Sequence, residues 1–522
     1  MGVNTKSFDN ASDMITFSRA SGGYGLTKVS YGNELVTNGD FATDLTGWTN
    51  SNWTWSSGAA ATTGVFGTLT QAVGARTAPK QISIEYVKTS GRVQCQLIDS
   101  TAANATVALG GANDLSTLGA SPLTVVIPAG YDTIRFTTTD ATASWTIDNI
   151  SVKEVTYNSS DPSATLKLIY HFNDVPRIEY NTDGTSKGLL VEESRTNLVV
   201  QSNLSNWITA GGASISTNYA SSPENTQNAT ALIANSIDCR AYVAKTLSGS
   251  GHTFSVYAKK GENRYLMLRL SASGGQYRRY FDLQDGVLAS ETGSGSASSI
   301  QEVKDGWYRC SITTADTPTS SQNVLLASTN QDGTETGSVT SGVGVYLFGA
   351  QLEAGSFPTS YIKTTGATAT RSADLASIPV ADFGYNQGAG TLFVEAAPAA
   401  LSSKNIFNLN VSGIDSESIY SNPDSSGHLI VRDTTTQVNL DAGSFVPNQT
   451  SKLAVVIKAN DFAACLDSGN VVKDSAGTVP SPISNMHIGS TAPQSGIYSG
   501  HIKSIKYYPR RLTDAQLQEL TT

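Results

Sequence analysis

Two short stretches hold carboxylates close enough in sequence to suggest paired acid–base chemistry: Asp282 with Asp285, and Glu302 with Asp305. Cleaving a glycosidic bond takes two carboxylates flanking it, one with its pKa raised by an apolar pocket. Both pairs sit among polar, turn-forming neighbours instead, and read as solvated hairpin tips. A third cluster, Glu192, Glu193 and Arg195, follows the apolar run Gly188-Leu189-Leu190-Val191 and reads as a local salt-bridged surface. The five histidines, His171, His252, His428, His487 and His501, lie far apart and read as surface or strand residues. Nucleophile-elbow, P-loop and HExxH spacings are absent. Cys95, Cys239, Cys310 and Cys465 form no CxxC and read as free buried thiols. No catalytic constellation assembles, so the expectation is a protein that is not an enzyme.

Binding chemistry is better represented. A β-surface that holds a sugar needs flat aromatic faces for the C–H side of the ring and amides or charges for its hydroxyls. The stretch "TGWTNSNWTWSSG" (46–58) packs Trp48, Trp53 and Trp55 into a few positions, with Asn50 and Asn52 between them. Trp48 is expected in the core. Trp53 and Trp55 alternate, so they are expected to share one strand face and to meet a ligand with Asn50 and Asn52. A second cluster, Tyr277, Arg278, Arg279 and Tyr280, could meet an acidic sugar; its other reading is a solvated strand edge.

The elements that must carry these residues are strands. Of 522 residues only 15 % are charged. Ser, Thr, Gly, Ala and Asn abound, a mix that suits short strands and polar turns. The length implies three to four domains. A net charge of −9 with no basic stripe sets nucleic-acid binding aside. The start, "MGVNTKSFDNASD", has no apolar h-region, and no 18-residue apolar run occurs, so neither an ordinary signal peptide nor membrane insertion is expected.

Residues 1–32 read as a polar arm. From 33 to 156, alternating segments such as "QISIEYVKTSGRVQCQLID" (81–99) and "SWTIDNISVKEV" (144–155) predict a β-sandwich. Residues 157–194 read as a connector with a hairpin around Asp183-Gly184, leading into the first strand of a second sandwich at 195–364. That second unit opens ("TNLVVQSNLSNWITAGG") and closes ("YLFGAQLEAG") much as the first does, which suggests one sandwich type used twice. Residues 365–389 read as a polar linker. A third β-unit, 390–522, ends in a short helix capped by Thr513 with Gln516 three residues on. The predicted fold class is therefore all-β and multidomain.

Four segments carry a resemblance: "FSRASGGYGL" (17–26), "PRIEYNTDGTSKGLLVEESRTNLV" (176–199), "GWYRCSITT" (306–314) and "GAQLEAGSFPTSYIKT" (349–364). They resemble segments of tailed-bacteriophage virion proteins of the head-spike, head-fibre and tail-fibre type, and together span residues 17–364. The first sandwich resembles carbohydrate-binding modules of the family-4/9 type through "NGDFATDLTGW" and "WTIDNISV". The third unit resembles concanavalin-like (LamG-like) jelly rolls. In many relatives the "FSRAS" segment runs into "PRIEY" within a few dozen residues, so residues 33–156 look like an insertion.

The resemblance implies a virion surface protein that binds host surface polysaccharide, with the arm contributing to anchoring on capsid, portal or tail. It implies a homotrimer, made in the host cytoplasm without export. The alternative is a virion depolymerase. In the modules that the first sandwich resembles, a structural calcium joins the first and last strands, and the matching positions are Asp40 and Asp148. The other reading of Asp148-Asn149 is ordinary turn hydrogen bonding.

Overall fold

The computed structural model describes residues 4–7, 15–63, 66–75, 80–88, 93–101, 105–108, 123–127, 129–138, 144–158, 161, 163–171, 173–235, 238–247, 251–272, 275–293, 295, 297–315, 321–336, 338–424, 429–491 and 495–522. Thr89-Ser90-Gly91, the turn between the two alternating runs within 81–99, and the histidine His428 lie outside them. Among the described residues the chain is all-β apart from one short α-helix and one 3-10 turn. It divides into two units, residues 28–165, and residues 1–27 together with 166–522.

The 28–165 unit is a sandwich. One sheet orders Ala105–Ala108, Val93–Asp99, Thr133–Thr138, Thr68–Ala72 and Thr49–Ser51; the other runs Leu123–Ile127, Lys80–Lys88, Ser144–Tyr157 and residues 28–34. The predicted alternation holds: Ile82, Ile84, Tyr86, Val93, Cys95 and Leu97 all enter the core. Along Ser144–Tyr157 the buried parity shifts from Trp145 and Ile147 to Ile150 and Val152. A bulge between Asp148 and Ser151, with Asn149 at φ 50°, inserts the extra residue that moves the following side chains to the other face.

The other unit holds a second sandwich and a jelly roll. The second sandwich packs two six-stranded sheets. One orders Ile208–Ala210, Arg240–Thr246, Ser321–Thr329, Tyr265–Ala272, Gly275–Asp282 and Val287–Thr292. The other orders Ser214–Ser221, Gln227–Ala234, Gly342–Ala354, His252–Lys260, Trp307–Thr314 and Ala297–Lys304. Phe254, Leu266, Leu268, Phe281, Ile312 and Leu347 are among the side chains that fill the space between them.

The jelly roll also packs two sheets, and its composition departs from the linear domain order read from sequence. The hairpin Arg177–Tyr180/Ser186–Val191 does form, its turn closed by Asn181 N to Thr185 O at 2.8 Å. The chain then runs on toward the second sandwich, but the hairpin itself belongs to the jelly roll. Its second strand pairs with Gly500–Tyr508, so Ile178, Leu189 and Val191 join the jelly-roll core. Gly188, at φ +94°, makes this contact feasible: a Cβ there would stand 2.3 Å from Lys503 Cα. The N-terminal arm is built in as well. Asn4–Ser7 pairs with Gly500–Tyr508, and Thr16–Ser18 pairs with Leu375–Pro379.

The stretch expected to be a linker is structured too. Ala369–Arg371 pairs with Arg195–Asn197, and Leu375–Pro379 is a jelly-roll strand on Asn485–Ile488. Arg195 stands opposite Arg371, so the chain leaves the jelly roll and returns to it through this two-stranded neck. Residues 198–368, the second sandwich, are thus inserted in the jelly roll's sequence, just as 28–165 are. The C-terminal helix Asp514–Leu520 carries the predicted Thr513–Gln516 capping box and lays Leu517 against Phe393, Val456 and Cys465.

Candidate functional site

The first sandwich separates the two tryptophans expected to act together. Trp53 is 3 % exposed and lies in the core beside Trp48, whereas Trp55 is 44 % exposed. The cause is a sheet crossing. Thr49–Ser51 belongs to one sheet through Thr68–Ala72, while Thr54–Ser56 pairs with Ala59–Thr63 of the other. Between them Asn52 takes φ 60°, breaking the alternation, and Trp53 fills the gap between sheets. Asn52 Nδ2 is engaged by Phe66 O at 2.7 Å, and Asn50 is exposed. Trp55 keeps an open ring while its Nε1 donates to Phe41 O at 2.7 Å.

At the positions matched to a calcium site, Asp148 accepts from Asn149 N at 2.7 Å and from Asn149 Nδ2 at 3.0 Å; Asp40 is exposed. Among the described residues no three His, Cys, Asp or Glu side chains gather as a metal-binding group.

In the second sandwich the cluster Tyr277–Tyr280 is split by the pleat. Tyr277 points into the main core, with its hydroxyl donating to Glu291 Oε2 at 3.1 Å. Arg278 and Tyr280 face outward. Tyr280 is buried with Met267, Leu325 and Ala327, and Arg278 Nε donates to Glu335 Oε2 at 2.9 Å. Arg279 pairs with Glu291 at 2.6 Å. The candidate acid pairs are accounted for by turns: Arg264 bridges Asp282 and Asp285 at 2.5 Å each, and Asp305 pairs with Lys304 at 3.2 Å.

A cleft of about 470 Å³ opens where the connector hairpin, the second sandwich and the jelly roll meet, lined by Glu179, Lys187, Glu192, Gln301, Arg309 and His501 among others. Its two carboxylates are both committed. Glu179 accepts from Leu26 N at 2.9 Å and pairs with His501 Nε2 at 2.8 Å. Burial would raise its carboxyl, but the His501 contacts and Lys187 outweigh that and hold it at about 2.

Glu192 was expected on a surface with Glu193 and Arg195; it is buried. Its carboxylate receives Arg177 Nη1 at 2.9 Å, Arg371 Nη2 at 3.5 Å, and Ser360 N and Oγ at 2.7 and 2.6 Å. Burial pushes its pKa up, yet Arg371, Arg177 and Ser360 together leave it well below the carboxylate range. Glu193 and Arg195 do pair nearer the surface. For Glu353 burial outweighs the contacts and leaves the carboxyl raised; it accepts from Thr359 N at 3.0 Å and does not line the cleft.

Glu192 is half of a buried joint that sequence reasoning missed. Asp374 is the other half. It accepts from Arg19 Nη1 at 2.9 Å, Arg177 Nη2 at 2.5 Å and Glu192 N at 2.9 Å, with Arg371 Nη1 at 3.8 Å. Three guanidinium groups and two carboxylates are thus withdrawn from water together, each charge facing its opposite. The only signal in the sequence was the repeated placement of Arg and acid beside the strand-like runs "FSRAS", "PRIEY", "GLLVEES" and "TRSAD".

No protein-family model matches the chain, and no curated protein matches it. Solved structures do. The carbohydrate-binding module CBM40 of the Ruminococcus gnavus IT-sialidase, bound to α2,3-sialyllactose, is 14 % identical over 26 % of this chain and 83 % of its own, with a TM-score of 0.23. The tandem CBM22 modules of Paenibacillus barcinonensis Xyn10C are 12 % identical over 62 % of this chain and 98 % of theirs, TM-score 0.19. Mouse laminin α1 domains LG4-5 are 10 % identical over 54 % and 93 %, TM-score 0.20. Scores this low carry no weight for function, which rests on the residues of this chain.

Proposed function

We propose that this chain is a non-catalytic, glycan-binding component of a bacteriophage particle, a fibre or spike on head or tail. One observation carries the non-catalytic part: the carboxylates of this cleft, Glu179 and Glu192, are held ionised by His501, Arg177, Arg371 and backbone or hydroxyl donors. A general acid needs a raised pKa and a proton to give, and these groups are tuned the opposite way. The thiols offer no nucleophile either, since all four are buried and burial pushes Cys239 up to about 12.

The virion part is supported by the resemblance of the "FSRAS", "PRIEY…GLLVEESRTNL" and "AQLEAGSFPTSYI" segments. Their residues Arg19, Arg177, Glu192 and Ser360 are joint residues, so segments that carry the resemblance tie together scattered pieces of the 1–27 and 166–522 unit. On a particle, as a homotrimer or higher array, weak sites on Trp55 and on the second sandwich would gain avidity from copy number. The test is a glycan array and an adsorption assay with the purified full chain. Binding to host polysaccharide, competition with particle adsorption, and no new reducing ends or unsaturated sugars are expected. Turnover abolished by one acidic substitution would establish the depolymerase alternative.

A further inference from the structure

The outward face of the second sandwich's Arg240-containing sheet is unusual for a surface. Strand register sets two rows across it: Arg240–Ala327–Met267–Tyr280, and beside it Tyr242–Leu325–Arg269–Arg278. The alternate residues, Ala241, Leu326, Leu268 and Phe281, serve the main core. Three arginines and two tyrosines therefore stand on an apolar floor. Arg269 lies directly opposite Arg278 in the ladder, a like-charge pairing that disfavours the sheet unless an anion intervenes.

The chain supplies that anion itself. Residues 330–336 fold back over the face, closed at their base by Asn330 N to Ser338 O at 2.7 Å and tied by Asp332 to Ser290 N at 3.0 Å. Glu335 then receives Arg240 Nη1 at 3.1 Å, Arg269 Nη1 at 3.1 Å and Arg278 Nε at 2.9 Å. Arg240 also pairs with Asp238 at 2.6 Å, so the three guanidinium groups share two carboxylates. Arg269 Nε, buried, has no hydrogen-bond partner.

We infer that Glu335 is an internal stand-in for the carboxylate of an acidic sugar, and that Arg240, Arg269, Arg278, Tyr242 and Tyr280 form a site for a carboxylated glycan beneath a displaceable strap. The ligand class follows from the chemistry: a planar carboxylate takes the converging N–H groups, and a pyranose ring takes the tyrosine faces. The strap keeps the arginines compensated when no ligand is present, at the cost of competing with it. This deepens the glycan-binding reading above and rests on it.

The experiment measures binding of oligogalacturonate and of a sialyl oligosaccharide to the full chain by calorimetry, with the uncharged methyl ester of the galacturonate as control. Glu335→Ala is expected to strengthen binding of at least one acidic oligosaccharide about tenfold or more over the unaltered chain. The methyl ester should gain nothing, and adding Arg269→Met should abolish the gain. Glu335→Gln, which keeps the shape of the strap, should give a smaller gain in the same direction and serves if the alanine variant does not fold. Unchanged affinity in a folded variant, or a gain shared by the methyl ester, overturns the inference. If the chain binds a neutral glycan on the array while no variant gains for either acid, the inference falls and the glycan-binding reading stands; if no glycan binds any form, both fall.

Discussion

Arg19 Nη1 donates to Asp374 Oδ1 at 2.9 Å across 355 residues of chain, and both side chains are fully buried. This pair fastens the N-terminal arm to the strand that follows the neck. With Arg177 and Glu192 it makes the point where the jelly roll's scattered segments meet.

Removing one partner of such a joint leaves buried charges without compensation, which costs about 3–5 kcal/mol. Asp374→Ala should therefore lower the stability of the 166–522 unit by about that amount, read from urea unfolding of the full chain. A loss below about 1 kcal/mol would mean that water or rearrangement replaces the carboxylate readily.

Acid should weaken the same unit. Glu179 sits at about 2 and Glu192 well below the usual range, so each contributes stability above its unfolded pKa and loses it as pH falls toward the folded one. His171, lowered to about 3 by burial and by Arg177 and Arg19, acts in the same direction, since the unfolded ring takes a proton first. Urea midpoints should fall from about pH 6.5 downward, more steeply below about pH 4.5. Glu179→Gln should flatten the lower part of that profile.

Gly188→Ala should destabilise by well over 1 kcal/mol, because it meets both a positive φ and the Lys503 backbone. Gly413→Ala is the control: φ is +81° there, but no atom stands within 4 Å of the added Cβ. Comparing the two melting temperatures separates steric collision from backbone strain.

The two tryptophans should part company. Trp53→Ala removes a core side chain and should cost about 3–5 kcal/mol. Trp55→Ala should cost much less while weakening any glycan contact of the first sandwich. Parallel melts and array binding of both variants check this.

Local patterns were legible without coordinates. Alternation in "QISIEYV" marked buried Ile82, Ile84 and Tyr86; Asp183-Gly184 marked a hairpin; Thr513 and Gln516 marked a helix start. Each depends on neighbours within a few residues, whose chemistry the chain states outright. The partners of those strands were not legible. Alternation says that Leu189 and Val191 face a core but not which one, and the answer, the jelly roll, depends on a pairing with the distant strand Gly500–Tyr508.

The same limit hid the sites. Composition and periodicity determined an all-β chain of stacked sheets with few charges. Only the fold decided that Trp53 crosses between sheets, that Glu192 is a buried bridge, and that Glu335 meets three arginines from three strands. Ion pairing acts through space over a few ångströms, and the residues that satisfy Asp374 lie from 3 to 355 positions away in sequence.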